Sequence, residues 1–445
     1  MTKLLFISLG CDKNLVDSEQ MLGLLAENDF EFTDDENEAE VIVINSCCFI
    51  GDAKEESINT IIEMGALKER GILKALIVTG CLAQRYAEQI RQELPEVDAI
   101  LGTTAFDEIV ECVRQCLEGR GSFRRNAPDR FTYLSGKRSL TTGGHYAYLK
   151  IAEGCNKSCS YCIIPKVRGS YRSVPMEILL KDAEDLAKRG VKELVLVAQE
   201  TTLYGVDLYG EKTLPRLLRE LAEISGIEWI RILYCYPEEI TEELIETIRT
   251  EKKVCHYLDI PIQSGSDRIL KKMGRRTDSQ EIRERIKRLR EQIPDIALRT
   301  TFISGFPGET AEDHEKTLEL VRDAGFDRLG VFTYSPEEDT RAYEMPEQIP
   351  EEVKEERRDE IMQLQQEIAF RKEESLKGRV LTAFIEGRDT GEDVYVARTY
   401  RDAPGVDGLI FIDTDENLMT GDFVRVRVIG AYEYDLIGEI YEPSK

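Results

Sequence analysis

Tyr146-Ala-Tyr-Leu-Lys-Ile-Ala-Glu-Gly-Cys155-Asn-Lys-Ser-Cys159-Ser-Tyr-Cys162 is the stretch that decides how this chain reads. Its first half, Ala147–Ile151, is a short apolar run of the kind that forms a buried parallel strand. Its second half is a Cys-x3-Cys-x2-Cys run, three thiols within eight residues. Thiolates this close together can wrap one soft metal centre. A structural zinc site takes four ligands and usually shows a second Cys or His pair nearby, and none follows here. A [4Fe–4S] cluster held by Cys155, Cys159 and Cys162 keeps one iron open to a cofactor or substrate.

Working outward, the same strand–helix rhythm continues through Glu193–Ala198, Trp229–Tyr234, Tyr257–Ile260, Arg299–Ile303 and Arg328–Thr333. Six such units predict a partial (β/α)6 barrel over residues 145–375, with its chemistry at the C-terminal strand ends. A charged helical stretch, Glu351 to Lys377, leads away from it. Residues 1–118 repeat one unit three times: apolar runs Leu4–Ser8, Val41–Asn45 and Ala75–Thr79 precede helical patterns at Asp17–Asn28, Asp52–Arg70 and Leu82–Leu94. That alternation predicts a parallel-sheet α/β domain with right-handed crossovers. Residues 119–144 hold Arg120, Arg124, Arg125, Arg130, Lys137 and Arg138 against the single acid Asp129, and read as a locally positive linker. Residues 376–445 carry short strands at Leu381–Glu386, Val394–Arg398, Leu409–Ile412, Phe423–Ile429 and Asp435–Tyr441. Gly, Pro and Asp separate them, as in a small antiparallel β-barrel used for docking. The fold class is multidomain α/β.

A second set of cysteines is less obvious. Cys11, Cys47 and Cys81 each follow one of the three amino-terminal strands, in Leu9-Gly10-Cys11, Asn45-Ser46-Cys47 and Thr79-Gly80-Cys81. In a parallel sheet these strand ends share one edge, so three cysteines there can converge. Each precedes a helix, where backbone N–H groups and the helix dipole favour a thiolate. Cys48 is an adjacent alternative to Cys47, and spacing does not choose between them. Cys112, Cys116, Cys235 and Cys255 read as core residues.

Composition narrows the class. The chain has 445 residues, 42% of them hydrophobic, with eleven cysteines and only three histidines. Its apolar runs are far shorter than the roughly 20 residues of a membrane helix. Met1-Thr2-Lys3-Leu4 leads straight into a core strand rather than a secretory leader, so a cytoplasmic protein with unpaired cysteines is expected. A net charge of −26 argues against a general nucleic-acid binder and suits a basic partner.

The cysteine run, with Tyr161 before its last cysteine, resembles the signature of the radical S-adenosylmethionine superfamily. The whole chain is similar to the methylthiotransferases, which join a cluster domain, a radical domain and a TRAM barrel. Within them it resembles the RimO-type branch, directed at an aspartate of small-subunit ribosomal protein uS12. The stretches that carry this are Ser8-Leu-Gly-Cys11-Asp-Lys-Asn-Leu-Val-Asp-Ser-Glu19, Val197-Ala-Gln-Glu-Thr-Thr-Leu-Tyr-Gly-Val-Asp207 and Phe302-Ile-Ser-Gly-Phe-Pro-Gly-Glu309. Val331-Phe-Thr-Tyr-Ser-Pro-Glu-Glu338 and Tyr434-Asp-Leu-Ile-Gly-Glu439 add to them.

The resemblance implies two [4Fe–4S] clusters, an auxiliary one on Cys11, Cys47 and Cys81 and a radical one on Cys155, Cys159 and Cys162. It implies that one S-adenosylmethionine methylates a sulfur held on the auxiliary cluster. Another is cleaved to a 5′-deoxyadenosyl radical, which takes hydrogen from the substrate's β-carbon. Tyr161, Gln199, Arg299 and Glu309 are candidate cofactor contacts, and a reductase or other electron donor is an implied partner. Two other readings compete: a tRNA adenosine methylthiotransferase, and a non-catalytic iron–sulfur carrier. From Arg379 onward the chain has 14 acidic and 7 basic residues. A barrel so charged repels tRNA and attracts a basic protein, so no stable nucleic-acid partner is expected.

Overall fold

The computed structural model describes residues 2–136 and 138–442; Met1, Lys137 of the basic segment and residues 443–445 lie outside the described residues. Val41–Ser46 and Ala75–Gly80 are buried at every position, as continuous apolar runs must be when helices cover both faces of a sheet. They form β3 and β4 of a six-stranded, wholly parallel sheet. Its other strands are β1 (Thr2–Ser8), β2 (Phe30–Phe32), β5 (Ala99–Leu101) and β6 (Ser122–Arg124), in the order β2-β1-β3-β4-β5-β6. Helices α1 (Asp12–Ala26), α2 (Gly51–Glu69) and α3 (Cys81–Glu93) follow β1, β3 and β4.

A second parallel sheet forms the central unit. It orders β14-β13-β12-β11-β10-β7 from β7 (Tyr146–Lys150), β10 (Glu193–Val197), β11 (Trp229–Ile232), β12 (Val254–Asp259), β13 (Ala297–Ser304) and β14 (Arg328–Thr333). The two-residue strands β8 (Ala152–Glu153) and β9 (Arg172–Ser173) pair antiparallel beside it. Along β13, Leu298 and Phe302 pack outward into the helix-covered core, while Arg299, Thr301 and Ile303 alternate to the other face. Among the described residues no helix is long and apolar enough to cross a membrane.

Two expectations are corrected. Residues 119–144 are not a loose linker, because Ser122–Arg124 pairs with β5 as the sixth strand of the first sheet. The remainder is bonded down: Arg130 pairs with Asp107 at 2.7 Å, Arg138 Nε donates to Glu19 at 2.6 Å, and Tyr133 donates to Asp182 at 2.7 Å. The charges of Arg124, Arg130 and Arg138 are matched by carboxylates that sequence spacing does not reveal. The terminal unit is a closed barrel, but it is not wholly antiparallel. Strands β15 (Val380–Asp389), β16 (Val394–Thr399), β17 (Ile410–Ile412), β18 (Phe423–Tyr432) and β19 (Asp435–Ile440) close as β15-β16-β17-β19-β18. The β17–β19 contact is parallel, because the long β18 intervenes between them in sequence.

The barrel docks where the central strands begin. Phe384 and Phe423 stack at 4.4 Å beside Trp229, and Ala403 packs with Tyr257 and Ala297. Charges reinforce the joint: fully buried Glu193 accepts from Arg231 at 2.8 Å and from Arg398 of the barrel at 2.6 Å. Glu386, Asp402 and Asp407 likewise turn inward, onto His145, Arg328 and Tyr257. Asp389, Glu392, Asp393, Asp413, Asp415 and Glu416 stay exposed. The barrel therefore seals the strand-start end and leaves the C-terminal strand ends to the amino-terminal domain.

Burial pushes the Glu193 carboxyl up, but the two guanidiniums outweigh it and hold it below its ordinary value. Its stabilisation is present above the unfolded carboxyl pKa and is lost as pH falls through the lower folded value. Glu193→Gln should cost ~3–5 kcal/mol, the usual loss on breaking a buried pair. Denaturant midpoints will show this at neutral pH, with the gap between wild type and variant narrowing in acid.

Candidate functional site: two cysteine triads across a domain seam

Cys11 caps α1, Cys81 opens α3, and Cys47 directly follows β3. Paired register of β1 with β3, and of β3 with β4, brings these three strand ends side by side. The turns are built for close approach. A Cβ on Gly10, which has φ +87°, would lie 2.7 Å from Cys47 Cβ and 2.9 Å from its sulfur. A Cβ on Gly80, at φ +92°, would strike Asn45 and Ser46. Asn14 ties the turns together by donating to the Leu9 carbonyl at 2.7 Å and the Ser46 carbonyl at 3.3 Å. Burial, then Cys11, pushes the Cys47 thiol up; burial also raises Cys81, against the pull of Arg168. Cys48 is buried in the same apolar cluster as Cys81. Burial pushes the Cys48 thiol up to about 12, against the pull of nearby Arg85, which pairs with Glu337 at 2.7 Å. The turn at Gly10 lies against Cys47, which puts that thiol beside Cys11.

The second triad lies on the loop after β8. Gly154 enters it with φ +79°, and a Cβ there would come 2.1 Å from the Ser170 carbonyl. Cys155 N–H donates to Gly169, Ser160 N–H to Met273, and Ala342 N–H to Ser160, which clamps the loop from both sides. Cys155 Sγ accepts from the Lys157 N–H at 3.4 Å, and Cys159 Sγ lies 3.9 Å from the Tyr236 hydroxyl. Burial raises the Cys155 thiol to about 11 and raises Cys162 as well. Among the described residues no three Cys, His, Asp or Glu side chains close around a single ion. Three thiols on one short loop suit a cluster, in which each thiolate binds its own iron.

Beside this loop several buried polar atoms have no partner among the described residues: Gln199 Oε1, Glu200 Oε2, the Tyr171 hydroxyl, and Nε and Nη1 of Arg275. Burial pushes the Glu200 carboxyl up to about 8. Unsatisfied donors and acceptors of both signs around a cysteine triad fit a zwitterionic polar ligand.

Of the four other candidates, Gln199 donates to Glu153 at 2.7 Å, and Tyr161 is packed edge-on to Phe306. Arg299 is instead spent on Asp259 at 2.9 Å and on Asp407 of the terminal domain at 3.3 Å. Glu309 accepts from Gly305 N–H and from Arg357 at 2.8 Å, which makes it a turn brace. Sequence reading missed Glu200, Tyr171, Arg275 and Tyr236. Only Glu200 carried a signal, as the neighbour of Gln199 in the Gln-Glu-Thr-Thr run.

Two locks hold the triads across the seam. In one, Glu337 and Glu338 of the Ser335–Asp339 loop receive Arg85, Lys54 and Tyr86 of the first domain. In the other, buried Lys150 and Arg168 meet Asp17 of α1 and Glu153.

Comparison with known proteins agrees with this architecture. The chain matches the radical SAM superfamily over residues 149–321, the TRAM domain over 378–440, and "Uncharacterized protein family UPF0004" over 3–102. It shares its fold with the radical S-adenosylmethionine methyltransferase TsrM of Kitasatospora setae, at TM-score 0.54 and 14% identity over 76% of this chain and 77% of that one. The class is therefore a radical SAM enzyme joined to a second cysteine-bearing α/β domain. Ribosomal protein uS12 methylthiotransferase RimO of Lachnoclostridium phytofermentans is 60% identical, over 98% of this chain and 99% of its own. The RimO protein of Acetivibrio thermocellus is 52% identical over 98% of each. The chain belongs to the RimO family of radical SAM methylthiotransferases.

Gly154→Ala forces a Cβ into backbone carbonyls at a left-handed φ. It should abolish reductive cleavage of S-adenosylmethionine while leaving the first domain folded, as 5′-deoxyadenosine assay and limited proteolysis will report.

Proposed function

We propose that this chain places a methylthio group on the β-carbon of an aspartate of small-subunit ribosomal protein uS12. Cys155, Cys159 and Cys162 hold the radical cluster, and Cys11, Cys47 and Cys81 hold the auxiliary one. The observation that carries the reading is the pair of three-thiol sets, one at adjacent strand ends and one on a single loop, joined by one ionic seam. When bound, the clusters and S-adenosylmethionine supply a carbon radical and a sulfur carrier, chemistry that no side chain offers toward an unactivated C–H.

The chain's own residues do the rest. Gln199, Glu200, Tyr171 and Arg275 present the unpaired polar atoms that would orient the cofactor's amino and carboxyl groups. Tyr161 and Tyr236 wall the radical triad, and the Arg85–Glu337 lock holds the first domain against the second. Exposed acids on the terminal barrel favour a basic protein over tRNA. An external one-electron donor completes the set.

Mass spectrometry of uS12 and of tRNA, from cells with and without this gene, tests the substrate. Loss of the methylthio increment from uS12 supports the reading; loss from tRNA alone overturns it. The ligand assignment makes its own prediction. After anaerobic reconstitution, Cys47→Ala should retain about half the wild-type iron, and Cys48→Ala all of it.

A further inference from the structure

Arg168 ends the helix Ile164–Arg168, just beyond Cys162, and is 2% exposed. Its Nε donates to the sulfur of Cys81 at 3.3 Å. Nη1 donates to Asp17 at 2.7 Å and to Glu153 at 3.1 Å, and Nη2 donates to Asn14 Oδ1 at 2.8 Å. Asn14 and Asp17 lie in the first turns of α1, the helix that Cys11 caps. Glu153 sits two residues before Cys155. One guanidinium thus touches the first triad directly and grips the segments that carry both triads.

The partners match the guanidinium's fork and no other side chain's. Lysine is a point charge on a flexible stem and cannot address four acceptors in fixed directions. Asp17 and Glu153 are already balanced in charge by Lys150 together with Arg168. The Nε–H is not needed for that balance; it is aimed at a sulfur.

We propose that Arg168 is a positioning residue for the auxiliary cluster: its Nε–H donates to the Cys81 thiolate and raises that cluster's reduction potential. Its other N–H groups fix the spacing between the two triads. This rests on the assignment of Cys11, Cys47 and Cys81 to one cluster. Adding an electron makes the cluster sulfurs more negative, so a charged donor binds the reduced state more strongly and shifts the potential upward. Exclusion from water keeps the effect from being screened. Arg168 donates to none of Cys155, Cys159 or Cys162 among the described residues, so the radical cluster should not follow.

The test is an EPR-monitored redox titration of reconstituted wild type, Arg168→Lys and Arg168→Gln, with the two clusters distinguished by the spectral change that S-adenosylmethionine causes in one. The expected result is a lowered auxiliary midpoint in both variants, further in Arg168→Gln, with the radical cluster unmoved. Methylthio transfer should fall roughly 10-fold to 100-fold, as when an outer-shell partner of a metal ligand is lost. Equal midpoints in all three proteins, or the same shift in both clusters, would sink the proposal. Should the variants not fold, wild type labelled with 15N-arginine carries the test: a 15N coupling to the reduced auxiliary cluster supports it, and no coupling overturns it. A wild type lacking the auxiliary signal would instead refute the cluster assignment beneath it.

Discussion

The structure turns on four paired charges between its first two domains. Lys150, Arg168 and Asp17 sit away from water, where an unpaired ion costs several kcal/mol, and Glu153 closes the set from its partly exposed edge. Two cations against two carboxylates leave no net charge to solvate, and Asn14, Gln199 and Cys81 accept or donate what remains. Because such a set tolerates little displacement, it fixes the angle at which α1 meets the loop of the radical domain. Both cysteine triads inherit their relative placement from it.

A division of labour follows. The central sheet is closed at its strand starts by the terminal barrel, through Glu193, Arg398 and the stacked Phe384 and Phe423. At its strand ends it is met by the amino-terminal domain, through Glu337 and the buried seam. Acids that made the barrel look uniformly negative serve partly as interior fasteners, Asp402 and Asp407 among them. What remains outward is still acidic, so its preference for a basic partner survives on fewer residues.

Turns at adjacent strand ends build the first triad. Cys11 caps α1 and Cys81 opens α3, at the positive end of each helix dipole, while Gly10 and Gly80 let the turns close. Burial raises the Cys47 and Cys81 thiols, and a cluster held there would reverse that preference by supplying positive charge, coupling its insertion to release of protons.

Local pattern alone determined much about this protein. Apolar runs followed by helical periods placed β1, β3 and β4 of the first sheet and all six strands of the second within a few residues, because fully buried strands leave little freedom of composition; the three-residue β2, β5 and β6 escaped that reading. The Cys-x3-Cys-x2-Cys run and the strand-end positions of Cys11, Cys47 and Cys81 were legible for the same reason: they are local. Tertiary structure alone decided the rest. The β6 strand within 119–144, the parallel β17–β19 contact, and the spending of Arg299 and Glu309 on internal partners all depend on groups far away in sequence. Arg168 is the clearest case. A single arginine in a loop announces nothing, and its meaning comes from a sulfur, two carboxylates and an amide brought to it by three separate segments.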